Sequence, residues 1–234
     1  MTVTLHHLEQ SRSQRILWLL EELDIPGGYE IKTYKRENGL APKELREIHP
    51  LGKSPVIVDG DLVVAESAVI VDYLIRKYGN GRFTTPEGDE QKALDNLYFQ
   101  HFAEGSLMPP LVMKLVFSTM VEKSPFFIRP ISSALAGQVT SGYIDPNLKK
   151  MFALIDSYLA KDGGRKWLAG TDEPTAADFL MSFPLETAVN GGRMDTSLVS
   201  ERIREYVQRV QSRPAYTRGL EKGPDYKYGP KNKL

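Results

Sequence analysis

The sequence predicts an α/β segment followed by an all-helical one, and three observations carry that expectation. Strand-like alternation and helical periodicity take turns over residues 1–79, a run rich in Gly, Pro and Thr follows from Asn80 to Asp89, and no convincing alternation returns beyond it. A chain of 234 residues accommodates one large domain or two small ones. The expected division is 1–79, a linker at 80–89, and a helical part over 90–234 ending in an extended tail.

Thr2 to His6 alternates as a short strand, the polar turn LEQSRS follows, and Ile16, Leu20 and Leu23 then fall at helical spacing from about Ser13. Pro26, Gly27 and Gly28 break the chain before Tyr29–Tyr34 alternates as a second strand, and a helix is expected near Pro42 to Ile48. Asp59-Gly60-Asp61 separates two β-branched runs, a hairpin signal. Val71, Leu74, Ile75 and Tyr78 stand at i, i+3, i+4 and i+7, so a third helix is expected, with Gly79 as its stop. The order β-α-β-α-β-β-α is that of a thioredoxin-like domain, which settles an architecture without settling a function.

In the second part, Leu94, Leu97, Tyr98 and Phe102 form one amphipathic face, and Ile203, Tyr206, Val207 and Val210 another. Pro109 and Pro110 should kink or end a helix, and Thr175 with Asp178 has capping-box spacing that serves folding. Gly-Pro pairs at Gly223 and Gly229 make a helical ending improbable, hence the expected tail over the last dozen residues.

Composition removes whole classes of function. Thirty Lys and Arg balance thirty Asp and Glu, so no global field draws in nucleic acid or an anionic membrane. Absence of cysteine excludes disulfides, zinc-thiolate sites and protein-thiol chemistry, so any thiol must come from a ligand. The four histidines show no metal-ligand spacing, and no metal site is expected. With no membrane-spanning run and no export pattern at MTVTLHHLEQ, a cytoplasmic location is expected.

The string HPLGKSPV, His49 to Val56, stands where the second helix gives way to the third strand. A proline at a strand entrance lacks a backbone donor, and in a sharp connection it adopts the cis form, which is the expectation for Pro55. The preceding Ser54 then offers N–H and C=O to a peptide-like ligand, as an added strand would, and Lys53 suits a carboxylate. On physics alone an exposed Lys and an ordinary loop Pro fit equally well. Glu66 and Ser67 precede the third helix, where free N–H groups favour anions; together they suit an α-amino acid group, although Ser67 taken alone reads first as a helix cap.

HPLGKSPV followed by AES resembles the glutathione-binding half of the soluble glutathione transferases, in which a thioredoxin-like domain precedes an all-helical one. SRSQRILWLLEEL, YEIKTYKRE, EGSLMPPL and TAADFLMSFPL are similar to the fungal, serine-type branch of that family, and the resemblance covers essentially the whole chain. It implies that Ser54 pairs with the cysteinyl backbone of glutathione, that Lys53 reaches the glycyl carboxylate with His49 as a weaker candidate, and that Glu66 with Ser67 holds the γ-glutamyl end. Serine-type members place a catalytic Ser four residues before an Arg of the first helix. Ser11 and Arg15 have that spacing, with Ser13 the competitor because it equally suits the helix cap. The hydroxyl would hydrogen-bond the sulfur and favour thiolate over thiol.

Tyr34, Lys35 and Arg36 are either near the glycyl carboxylate or exposed solubilising charge, and Phe99, Phe102, Phe126 and Phe127 either line an apolar site or belong to the core. The resemblance further implies glutathione as co-substrate with no tightly bound cofactor, a small apolar electrophile as the second substrate, and a homodimer. Conjugating transferase is the leading activity. A glutathione-dependent peroxidase and a non-catalytic ligand carrier or regulator are the alternatives.

Overall fold

The computed structural model describes residues 2–230. Strand β1 (Val3–Leu8), helix α1 (Ser13–Glu22), β2 (Tyr29–Tyr34), a single helical turn α2 (Leu45–Ile48), β3 (Val56–Asp59), β4 (Leu62–Ala65) and α3 (Ser67–Tyr78) follow in that order. The sheet runs β2-β1-β3-β4, with β1 parallel to β2 and the other pairs antiparallel. This is the mixed sheet of a thioredoxin-like unit. Strand β1 extends two residues past the expected His6 because its register with β2 continues to Leu8 opposite Tyr34. The helix expected from Pro42 is reduced to one turn at Leu45–Ile48.

The remainder is helical: α4 (Glu90–Phe102), α5 (Met108–Lys123), α6 (Arg129–Val139), α7 (Asp145–Leu159), α8 (Ala176–Val189), α9 (Glu201–Gln211) and α10 (Pro214–Lys222). Pro109 and Pro110 do not end a helix. A π-turn at Ala103–Leu107 joins α4 to α5, and the two prolines sit in the first turn of α5, where a missing N–H costs least. No described helix is long and apolar enough to cross a membrane.

Helix α1 ties the two parts together. Every residue from Ser13 to Leu20 is buried, and Trp18 packs on Phe179 of α8 at 4.4 Å and on Tyr216 of α10 at 6.1 Å between ring centroids. Helix α8 is buried along almost its whole length. Its start carries the expected capping box: the fully buried Asp178 carboxylate accepts from Thr175 N–H at 2.8 Å, and also from Leu168 N–H at 3.0 Å and Tyr206 OH at 2.7 Å.

The C-terminal segment is non-helical as expected, but up to residue 230 it does not leave the body as an extended tail. It folds back across the turn after β1, where Lys227 N–H donates to Gln10 Oε1 at 3.0 Å, and Tyr228 is buried against Phe183. The Gly-Pro pairs bar a helix here, and the buried Tyr228 ring anchors the non-helical segment to α8. Residues 231–234 of the expected tail lie outside the described residues.

Candidate functional site

The local backbone prepares the site at two places. Between β4 and α3, Glu66 adopts φ 69° and ψ 123°, a conformation that costs a residue with a side chain about 1–3 kcal/mol and is found where function demands it. Glu66 occupies the helix-cap position, so Ser67 is the first helical residue and not the cap expected from sequence. Its hydroxyl instead accepts from Arg15 Nη2 at 2.9 Å and keeps its own proton for another partner. At the second place, the Ser54–Pro55 bond is cis, as expected. Ser54 Oγ donates to His6 C=O at 2.8 Å and accepts from Leu8 N–H at 3.0 Å, which fastens the loop to β1. Among the described residues nothing pairs with the Ser54 N–H or C=O.

A cavity of about 250 Å³ brings together His49, Lys53, Ser54, Glu66 and Ser67, the whole set of binding residues expected from sequence, and adds Arg12 and Glu104. Glu104 comes from the π-turn between α4 and α5. Arg12 Nε donates to both its oxygens at 3.0 Å, and the fully buried Arg15 donates to it through Nη2. Arg15 also reaches Leu180 C=O at 2.8 Å. Burial alone would raise the Glu104 pKa, but the charges of Arg15 and Arg12 and their hydrogen bonds outweigh it and hold the carboxyl below its ordinary value. Two guanidinium groups against one carboxylate leave this cluster with a net charge of one positive unit.

Ser11 and Ser13 are separated by their surroundings. Ser11 Oγ donates to Leu8 C=O at 2.7 Å and accepts from Ser13 N–H at 3.1 Å, closing the turn into α1. The cap position of α1 belongs to Arg12, so Ser13 is not the cap, and its hydroxyl is fully buried without a protein partner. Ser11 lines a second cavity of about 340 Å³ whose apolar side is Met108, Val112, Leu115 and Phe183. The two cavities share Arg12, Lys53 and Ser54. Ser13 lines neither.

The phenylalanines considered from sequence do not form that apolar side: Phe99 and Phe102 are core residues, and Phe126 and Phe127 are exposed. Tyr34 OH bonds His6 Nδ1 at 2.8 Å, Lys35 is exposed, and Arg36 lines the second cavity. Sequence reasoning missed Glu104 altogether. The available signal was EGSLMPPL, a glycine and two prolines inside a helical stretch, which marks a π-turn of the kind common at functional sites.

Residues 5–82 match the family model for the glutathione S-transferase N-terminal domain, and residues 130–218 that for its C-terminal domain. The chain belongs to the glutathione S-transferase family. It is 36% identical over 223 residues to glutathione S-transferase 3 of Schizosaccharomyces pombe, covering 95% of this chain and 88% of the relative. Glutathione S-transferase 1 of Saccharomyces cerevisiae is 34% identical over 194 residues, 80% of each chain. Among solved structures, a glutathione S-transferase from Actinobacillus pleuropneumoniae superposes with a TM-score of 0.71 at 30% identity, covering 94% of this chain and 92% of that one. The protein is thus a glutathione transferase that takes glutathione as co-substrate, with the thioredoxin-like and helical parts of that family.

Proposed function

We propose that glutathione lies in the 250 Å³ cavity with its sulfur at the junction of the two cavities, and that the 340 Å³ cavity holds the electrophile. The supporting observation is the shared wall of Arg12, Lys53 and Ser54: an atom placed there touches both spaces and lies beside Ser11. In this reading Glu66 takes the γ-glutamyl ammonium, and the Ser67 hydroxyl, polarised by Arg15, donates to the adjoining carboxylate. Ser54 pairs its free backbone groups with the cysteinyl unit, and Lys53, with His49 nearby, faces the glycyl carboxylate. The glutathione-binding part is then 1–79, joined by 80–89 to the helical part over 90–234.

Ser11 is the catalytic residue in this proposal. Its proton rests on Leu8 C=O, and a thiolate at the junction is a stronger acceptor toward which the hydroxyl turns. Lowering a thiol pKa of about 8.5 by two units requires about 2.7 kcal/mol. One charge-assisted hydrogen bond of about 1.5–3 kcal/mol supplies that, and the net positive charge of the Arg12, Arg15 and Glu104 cluster assists it. The test is the thiolate absorbance of bound glutathione against pH. Ser11→Ala should raise the thiol pKa by about one unit or more and slow conjugation roughly ten- to a hundred-fold. A shift confined to Ser13→Ala transfers the role to Ser13, and no shift in either variant transfers it to backbone amides or a cation such as Arg12.

A second copy of the chain completes the proposal. Leu94 and Leu97 of α4 and Leu62 of β4 are 60%, 50% and 54% exposed, apolar side chains that a two-fold homodimer would cover. A cytoplasmic location is part of this reading; among the described residues no helix is long and apolar enough to cross a membrane.

A further inference from the structure

The lining of the 340 Å³ cavity has a lopsided charge. Four of its side chains are cationic, Arg12, Arg36, Lys53 and Arg193, and none is acidic, in a chain whose acids and bases are equal in number. Two of the four have other commitments: Arg12 is paired with Glu104, and Lys53 faces the glycyl end of glutathione in the reading above. Arg36 and Arg193 remain. Neither forms an ion pair among the described residues. Arg36 donates only to carbonyls, to Gly39 at 3.2 Å and Gln10 at 3.4 Å, while the Glu9 carboxylate binds the Arg36 backbone N–H rather than its guanidinium.

Arg193 is the decisive residue. It is 91% buried by its relative exposure of 9%, yet among the described residues no carboxylate pairs with it: Nη2 donates to Tyr228 OH at 2.8 Å, and the guanidinium lies 5.3 Å from the centre of the same ring. Removing a cation from water without a counter-charge is costly, and such groups are ordinarily paired. Folding the C-terminal segment back over this arginine holds it in the cavity wall. The same cavity also has apolar lining from Met108, Val112, Leu115 and Phe183.

We propose that the second substrate is an amphipathic anion: an electrophile whose apolar body lies on Met108, Val112 and Phe183 and whose carboxylate or similar group pairs with Arg193 and Arg36. This rests on the reading that the cavity is the electrophile site. In a substitution of this class the thiolate sulfur forms a bond to the carbon bearing a halogen, the carbon–halogen bond breaks, and the halide leaves with the bonding pair. No oxidant or reductant enters.

The test compares a chlorodinitrobenzoate with its methyl ester, two compounds with one reacting centre and different charge. The readout is the ratio of kcat/KM for acid over ester, each corrected for the uncatalysed reaction. The acid should be preferred about tenfold, and the preference should weaken with added salt. It should fall about tenfold in Arg193→Gln and in Arg36→Gln, and persist in Lys149→Gln, an exposed cation on α7. Because Arg36 is exposed, its variant keeps the test intact if Arg193→Gln folds poorly. Calorimetry with the unreactive dinitrobenzoate supplies a readout independent of turnover. Turnover of the ester with no preference for the acid, or a preference unchanged in both variants, overturns the proposal and leaves the electrophile site standing. No turnover of either compound, with arginine-dependent binding of dinitrobenzoate, keeps the anion site and overturns the electrophile reading. Absence of both turnover and binding overturns both.

Discussion

Glu104→Gln tests the charged cluster on which the site is built. The substitution keeps an acceptor in place but removes the charge, leaving Arg15 with three neutral acceptors, the Gln amide oxygen, Leu180 C=O and Ser67 Oγ, in a fully buried position. Breaking a buried pair costs about 3–5 kcal/mol; because the Glu104 side chain is 35% exposed, solvent reduces the expectation to about 2 kcal/mol. For a chain of this size that corresponds to roughly 4–8 °C in Tm. The native carboxyl is held below its ordinary pKa, so its contribution is present above the unfolded value of about 4.3 and is lost as pH falls through the native value. Melting curves of wild type and variant should therefore differ at pH 7 and converge in acid. The same substitution raises the cluster's net charge from one to two positive units, so the thiol of bound glutathione should become more acidic by roughly one unit. Equal melting temperatures at pH 7, or a thiol pKa that rises, would refute the reasoning.

Three further expectations concern the frame around the site. Glu186 on α8 is fully buried beneath Tyr216, Tyr226 and Gln211, and burial pushes its pKa up to about 7. A carboxyl raised in the native state stabilises below its unfolded pKa and loses that contribution as pH climbs to the native one, so the stability of Glu186→Gln relative to wild type should improve between pH 4.5 and 7, by up to about 3 kcal/mol; a difference independent of pH in chemical denaturation would contradict this. Asp178→Ala should cost about 3 kcal/mol by leaving the Leu168 and Thr175 N–H groups buried without acceptors, while kcat/KM per folded molecule stays unchanged. Sedimentation should report twice the chain mass of 26.3 kDa at micromolar concentration, and a monomer of full activity would exclude the homodimer.

The architecture was legible where burial is one-sided and obscure where it is not. Helix α9 shows its face plainly because Ile203, Tyr206, Val207 and Val210 are buried on an otherwise polar helix. Helix α8 shows none, since nearly every side chain in it is buried, and only its capping residues announced its start. Strand β1 is central in the sheet and covered on both faces, so His6 and His7 are both 2% exposed and alternation does not reveal where the strand stops. The docking of the C-terminal segment was invisible for another reason: Gly-Pro pairs report local chain geometry, whereas the contacts of Tyr228 with Phe183, Asn190 and Arg193 are tertiary.

That His49, Lys53, Ser54, Glu66 and Ser67 share one cavity was legible because short strings hold them: the peptide bond before Pro55 and the turn into α3 are local features, and local features leave sequence signals. The charged cluster is different in kind. Arg12 and Arg15 lie on the turn and first helix, Glu104 about ninety positions later, and no spacing rule relates them. Their association follows from helix packing, which brings the π-turn of the helical part against the first turn of α1. The same separation has a functional consequence. Glu104, Met108 and Val112 come from one continuous stretch that forms a wall of both cavities, so a shift of that stretch would alter the charge beside the proposed sulfur position and the shape of the proposed electrophile cavity together. The residues proposed to hold glutathione are anchored instead to β1 and to Arg15 of α1, through Ser54 and Ser67. The proposed electrophile cavity draws on both parts, with Ser11 and Arg36 from the first and Met108, Val112 and Arg193 from the second, so its selectivity depends on how the two parts pack.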